Sequence, residues 1–202
     1  MNSVFSDSNK IIPVVVLNHI DETESVLGAL NDGGIKIAEI TFRTACAKDA
    51  IALGVKKFPD ILIGAGTVIN AVQCESAIEA GAKFIVSPGF SKQVLEVCKK
   101  HGVTYIPGAV TPTEIMNLID EGIKVIKFFP AEAYGGVKTL KALSAAFPGI
   151  KFMPTGGIGI NNMSDYLTLP FIQAIGGSWM LKGTPDEIKA MSAEAVRKAE
   201  NI

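Results

Sequence analysis

Short apolar runs recur about every 20 to 26 residues along the chain, each separated from the next by a stretch of mixed polar and apolar residues with helical period. Five of them share one design: Gly34-Ile-Lys-Ile-Ala-Glu-Ile-Thr41, Gly81-Ala-Lys-Phe-Ile-Val-Ser-Pro88, Gly102-Val-Thr-Tyr-Ile-Pro-Gly108, Gly122-Ile-Lys-Val-Ile-Lys-Phe-Phe129 and Gly149-Ile-Lys-Phe-Met-Pro-Thr155. The leading glycine suits the left-handed turn that ends a helix, and the run after it is apolar enough to be buried on both faces, as parallel strands are. Adding Ile11–Leu17, Ile61–Gly66 and Phe171–Ile175 brings the predicted strands to eight. The intervening stretches predict helices over 21–30, 45–58, 71–80, 91–100, 111–121, 137–147, 162–167 and 185–199, two of them announced by Thr-Pro. Strict alternation without a hairpin signal predicts an α/β fold, specifically a closed (β/α)8 TIM barrel forming a single domain over residues 1–202. In such barrels the chemistry gathers where strands end and βα loops begin.

Composition narrows the function classes. A 48% hydrophobic content sustains a full core, while 202 residues are few for this barrel and leave little room for a second domain. Nineteen basic and twenty acidic side chains give a net charge of −1 with no block of one sign, so nothing recruits nucleic acid or an anionic membrane. Cys46, Cys74 and Cys98 are odd in number, far apart in sequence and without a CxxC pair, which predicts free thiols in a reducing cytoplasm. The stretch Met1–Lys10 is polar, and no apolar run approaches the roughly 18 residues of a membrane span, so neither export nor insertion is expected. The two histidines lack metal-ligand spacing, so no metal is expected; His101 reads as a helix-end cap and His19 as a loop residue. In Gly64-Ala-Gly-Thr-Val-Ile69 an isoleucine stands where a dinucleotide fingerprint needs its last glycine, so a nicotinamide cofactor is not expected.

Among the lysines, Lys36, Lys83, Lys124 and Lys151 stand two residues after a glycine, at the solvated start of their strands. Lys127 lies deeper, on the same face as Val125 and Phe129, and that face points into the barrel. Loss of hydration favours a neutral amine, the form that attacks a carbonyl; the plainer alternative is a lysine that snorkels out or pairs with a carboxylate. Glu39 shares an inward face with Ile37 and Thr41 and needs a partner such as Lys127, either as a structural ion pair or as a proton shuttle. Arg43, one of two arginines, falls just past the same strand, where its planar fork suits a substrate carboxylate; Arg197 reads as a solvated helix residue. Thr67 adds a hydroxyl at the rim, a weak signal by itself. Two glycine pairs, Gly156-Gly157 and Gly176-Gly177, are expected to end strands seven and eight, where phosphosugar barrels hold phosphate on backbone N–H groups. Side chains added at Gly157 or Gly177 are expected to obstruct that anion.

The chain resembles the 2-keto-3-deoxy-6-phosphogluconate aldolase family, also known as 4-hydroxy-2-oxoglutarate aldolase. The residues that carry the resemblance are Glu39-Ile-Thr-Phe-Arg-Thr44, Gly64-Ala-Gly-Thr67, Val86-Ser-Pro-Gly89, Lys127-Phe-Phe-Pro-Ala-Glu132, Pro154-Thr-Gly-Gly-Ile158 and Gly176-Gly-Ser-Trp179. Gly159-Ile160 departs from the family's frequent Ser-Pro. The resemblance implies a cofactor-independent class I aldolase with Lys127 as Schiff-base lysine and Glu39 as acid/base. It further implies Arg43 and Thr67 on the pyruvyl carboxylate, Thr155 beside the reacting carbons, Pro88 and Phe129 lining the pocket, and Gly156, Gly157, Gly177 and Ser178 around the phosphate. The implied partners are a phosphorylated 2-keto sugar acid and pyruvate, in a homotrimer. The gluconate-derived substrate is favoured over its galactonate epimer by the intact Phe-Pro-Ala-Glu and Gly-Gly-Ser-Trp stretches. A non-covalent phosphosugar isomerase using Glu39 as base, or a non-catalytic phosphosugar-binding module, would occupy the same fold.

Overall fold

The computed structural model describes Phe5 and residues 10–202; the rest of the polar stretch 1–10, and the expectation drawn from it, lie outside the described residues. Strands β1 (Ile11–Val15), β2 (Ile37–Thr41), β3 (Leu62–Gly66), β4 (Phe84–Val86), β5 (Thr104–Ile106), β6 (Val125–Phe128), β7 (Lys151–Pro154) and β8 (Ile175–Gly177) alternate with helices. These are α1 (Glu22–Asp32), α2 (Ala47–Lys57), α3 (Ala71–Glu79), α4 (Lys92–His101), α5 (Pro112–Asp120), α6 (Gly136–Ala146), α7 (Met163–Leu167) and α8 (Pro185–Glu200). The α/β alternation is therefore as the sequence predicts. The five glycines that lead the predicted strands do sit in the left-handed region, with φ between +67° at Gly102 and +98° at Gly81. Both Thr-Pro signals start helices: Thr111 with Glu114 and Thr184 with Glu187 form capping boxes, each with a proline in the first turn.

Every strand pairing is parallel. The ladders make a curled six-stranded sheet in the order β5-β4-β3-β2-β1-β8 and a separate pair, β6-β7. Single bridges join the two: Gly108 with Lys127 on one side, Phe152 with Ile172 and Thr155 with Gly176 on the other. The last strand corrects the sequence reading, because β8 begins where Phe171–Ile175 was expected to end and takes in both glycines expected beyond it. The reason is close packing. A Cβ at Gly176 would stand 2.3 Å from Thr155 Oγ1 and one at Gly177 2.2 Å from the Trp179 ring, so this strand needs glycine for the approach of its neighbours.

Side-chain alternation divides the core in two. Ala38, Ile40, Ile63, Ala65, Ile85 and Phe152 belong to the cluster that includes the buried helix faces. Ile12, Ile37, Phe84, Val86, Ile106 and Met153 form a second cluster on the opposite strand faces, joined by Phe5. Phe84 fills this interior by lying where Gly64 has no side chain: a Cβ there would meet its ring at 2.5 Å. Among the described residues no helix is long and apolar enough to cross a membrane.

Two contacts between helices could not be read from the sequence, and the second of them overturns an expectation. Cys74 and Cys98, distant in sequence, bring their Sγ atoms to 3.5 Å in the buried seam between α3 and α4; all three cysteines are free. His101 does not act as a cap. Its Nε2 lies 2.7 Å from Glu75 Oε2 on α3, and left-handed Gly102 ends α4 instead.

Candidate active site

Ile37 fixes which face of β2 is inward, and alternation places Glu39 and Thr41 on that face with it. On β6, Val125 packs against the same interior cluster and Lys127 follows it. The two ionisable groups, 88 residues apart in sequence, meet there: Lys127 Nζ donates to Glu39 Oε1 at 3.1 Å. Their side chains are 5% and 1% exposed, so each charge offsets part of the cost of burying the other. Gly66 makes room for the carboxylate, since a Cβ at that position would lie 2.9 Å from Glu39 Cδ. The Lys127 backbone is tied on both sides, its N–H donating to Pro107 O at 2.8 Å and its carbonyl accepting from Ala109 N–H at 3.0 Å. Nζ also lies 5.6 Å from the centroid of the Phe129 ring, within cation–π range.

Phe129 connects this pair to a cavity of about 220 Å³ whose wall also contains Arg43, Thr155, Gly156, Gly157, Gly177 and Ser178. Seven of the eleven residues singled out from the sequence thus share one hollow, with Lys127 and Glu39 adjoining it through Phe129. Arg43 and the glycines line the same space. A larger hollow, about 300 Å³, lies at the N-terminal ends of β1 and β2 between Lys10, Ile11, Lys36 and Val196, away from the carboxyl ends of the strands where parallel α/β sheets bind their ligands. The smaller cavity is the one joined to the buried amine.

Thr67 and Pro88 are not part of that wall. Thr67 follows β3 with φ +57°, an uncommon conformation for a β-branched residue and a sign of local strain. Pro88 is exposed after β4, and its carbonyl approaches Gly108 so closely that a Cβ there would lie 2.0 Å from it. Gly156 and Gly157 are both left-handed, at φ +100° and +79°, and form the turn after β7.

Three buried oxygens at this end of the strands, Glu39 Oε2, Thr41 Oγ1 and Thr155 Oγ1, have no hydrogen-bond partner among the described residues. Buried polar atoms call for partners, and of these three residues Thr155 also lines the cavity. Sequence reasoning passed over Thr41, although its position two residues after Glu39 already put it on the inward face. Trp179 was also missed in its role as the back of Gly177. Among the described residues no group of three or more His, Cys, Asp or Glu side chains is arranged to hold a metal ion.

Residues 3–198 match the family model described as KDPG and KHG aldolase. The chain belongs to that family. A 2-dehydro-3-deoxy-phosphogluconate aldolase of Treponema pallidum is 45% identical over 172 residues, 85% of this chain and 82% of that one. Among solved structures, the 2-keto-3-deoxy-6-phosphogluconate aldolase of Zymomonas mobilis with 3-phosphoglycerate is 36% identical, covers 94% of this chain and 92% of its own, and superposes with a TM-score of 0.90. The Legionella pneumophila KDPG aldolase, with pyruvate captured at low pH as a covalent carbinolamine intermediate, is 38% identical, with coverages of 97% and 95% and a TM-score of 0.86. Membership in this aldolase family gives the buried amine–carboxylate pair a chemical context.

Proposed function

We propose that this chain is a class I aldolase that cleaves 2-keto-3-deoxy-6-phosphogluconate to pyruvate and glyceraldehyde 3-phosphate through a Schiff base on Lys127. The observation that carries the reading is the buried contact of 3.1 Å between Lys127 Nζ and Glu39 Oε1, joined by Phe129 to a cavity lined by an arginine and left-handed glycines. The relatives named for this substrate, and the one holding a pyruvate carbinolamine, support it.

In this mechanism Glu39 takes a proton from Lys127, and the neutral amine adds to the C2 ketone to form a carbinolamine. Protonated Glu39 then gives its proton to the departing hydroxyl, water leaves, and a protonated imine remains as electron sink. Glu39, again a carboxylate, removes the C4 hydroxyl proton; the C3–C4 electrons move toward the imine nitrogen and glyceraldehyde 3-phosphate is released. The same proton returns to C3 of the enamine. Water then hydrolyses the imine, freeing pyruvate and regenerating the amine. Arg43 and Thr67 hold the carboxylate common to substrate and pyruvate, Thr155 stands beside the reacting carbons, and Pro88 and Phe129 shape the pocket. Gly156, Gly157, Gly177 and Ser178 receive the phosphate, whose remote binding energy positions the carbon chain. Cleavage of 4-hydroxy-2-oxoglutarate to pyruvate and glyoxylate uses the same carboxylate end.

The surrounding organisation belongs to the same proposal. The eight strands close into one barrel and one domain over residues 1–202, a reading supported by the single bridges on both sides of β6-β7. Assembly as a homotrimer is supported by exposed apolar side chains, Ile69 at 58% and Val72 at 79%, around the start of α3. A cytoplasmic location belongs to the same proposal, supported by the odd number and scattered spacing of the three cysteines. Borohydride reduction in the presence of pyruvate, followed by peptide mass mapping, tests the central claim. An adduct on Lys127 supports it, whereas turnover without any trapped adduct overturns it in favour of a non-covalent isomerase that uses Glu39.

A further inference from the structure

The turn that lines the cavity after β7 is held from behind by residues given no role so far. The Gly156 carbonyl accepts from the Glu132 backbone N–H at 3.1 Å, and the Thr155 carbonyl accepts from Ala131 N–H at 2.8 Å. A Cβ at Gly157 would stand 2.5 Å from Glu132 Cγ and 2.6 Å from its Cβ, so the stem of Glu132 fills the space behind that glycine. At its tip, Glu132 Oε1 accepts a hydrogen bond from the Tyr166 hydroxyl of α7. Tyr166 is 1% exposed, whereas Glu132 is open to solvent on its outer side. Gly136, the first residue of α6, closes over this contact: a Cβ there would lie 2.8 Å from the tyrosine oxygen and 2.9 Å from Glu132 Oε1.

The tyrosine anchors the carboxylate in one position. Burial, and then the neighbouring Glu132, push the Tyr166 hydroxyl up from its ordinary range, so it stays protonated and donates at every working pH. A carboxylate held at its tip keeps its stem packed against Gly157. The two carbonyls bound by Ala131 and Glu132 leave the turn little freedom to rotate its peptide planes. Anion capture by a backbone turn depends on that orientation being set before the ligand arrives.

We propose that Glu132 and Tyr166 form a positioning pair that presets the Gly156–Gly157 turn for the phosphate, and so sets the preference for phosphorylated over unphosphorylated substrates. The inference rests on the function proposed above, and its test separates the two. Tyr166→Phe, Glu132→Ala and Glu132→Gln are compared with wild type on 2-keto-3-deoxy-6-phosphogluconate and on 4-hydroxy-2-oxoglutarate, with thermal melts and borohydride trapping of pyruvate alongside. Tyr166→Phe and Glu132→Ala lose about tenfold in kcat/KM on the phosphorylated substrate, mostly through KM, as expected for one hydrogen bond to a charged group. Activity on the unphosphorylated substrate and trapping of pyruvate stay close to wild type. Glu132→Gln keeps a carbonyl oxygen for the tyrosine and recovers most of the loss. Equal losses on both substrates, or no loss on the phosphorylated one, overturn the positioning role. A wild-type protein that traps no pyruvate overturns the function beneath it, an outcome distinguishable because it precedes any variant.

Discussion

Lys127 Nζ lies 3.1 Å from Glu39 Oε1 with both side chains almost wholly withdrawn from water, so neither residue can be changed alone without consequence for the other. Lys127→Met keeps the length of the side chain and removes the amine. Turnover and pyruvate trapping should disappear, and Glu39 should be left buried beside an apolar group, at a cost to stability of about 3–5 kcal/mol if it stays ionised. Lys127→Met with Glu39→Gln should recover part of that stability and none of the turnover. Chemical denaturation and single-turnover assays measure the two effects separately, and turnover by Lys127→Met within about tenfold of wild type would remove the Schiff-base assignment.

Glu39→Gln leaves size and hydrogen bonding nearly unchanged while ending proton transfer. Pyruvate should still be trapped on Lys127 by borohydride. Cleavage, and exchange of the pyruvate methyl protons with solvent, should slow by about 10²- to 10⁴-fold, the range of general acid/base contributions. Methyl exchange at the wild-type rate would assign Glu39 to structure alone.

Convergence of this pair was legible in the letters because it depends only on period-two alternation along two strands. Ile37 and Val125 mark the inward faces, and Glu39 and Lys127 follow two residues later. Helix starts were legible for a similarly local reason, since Thr111 and Thr184 cap within their own turn. What escaped the reading is contact between elements remote in sequence. Strand β8 looked like a glycine loop because nothing local reveals that Thr155 and Trp179 press against Gly176 and Gly177. The same holds for His101 on Glu75 and for the two thiols between α3 and α4. Such contacts follow no period and leave no trace until the chain is folded.

Stability at acid pH should depend on the capping box of α5. Glu114 accepts from the N–H groups of Val110 and Thr111, each at 2.9 Å, and the Val110 bond above all holds its carboxyl below the usual value of 4.5. A folded value lower than the unfolded one means that this contribution is complete above the unfolded value and fades as pH falls through the folded one. Thr111→Ala should cost about 1 kcal/mol at neutral pH, or roughly 2–4 °C in Tm for a chain of this size. Glu114→Gln should make the melting temperature less sensitive to pH below about 4.5, the region in which the wild-type carboxylate takes up its proton. A pH profile parallel to wild type would place the acid sensitivity elsewhere.

Arg43 occupies the same cavity as the glycine turns, so its assignment to the carboxylate end needs a substrate comparison. Both substrates, and pyruvate itself, carry that carboxylate. Arg43→Met should therefore weaken all three, by about 10- to 100-fold for loss of a charge-assisted hydrogen bond. A loss confined to the phosphorylated substrate, read from kcat/KM on each, would move Arg43 to the phosphate.

Ser178 and Gly177 are neighbours with opposite expected behaviour, which follows from what each faces. Ser178 is exposed on the cavity wall, and removing its hydroxyl in Ser178→Ala takes away one donor from an anion while disturbing no packed neighbour. The loss should be a few-fold, about what one hydrogen bond provides, and confined to the phosphorylated substrate. Gly177 was expected to behave in the same way, by letting an added side chain obstruct the phosphate. Its geometry says otherwise, because a Cβ there projects not into the cavity but onto Trp179, at 2.2 Å from the ring. Gly177→Ala must displace that indole, and with it β8, so it should reduce stability and slow both substrates alike. Melting temperatures with parallel kcat/KM measurements distinguish the two variants. A selective phosphate defect in a fully stable Gly177→Ala protein would show that Trp179 yields without moving the strand, and that the added methyl acts on the anion after all.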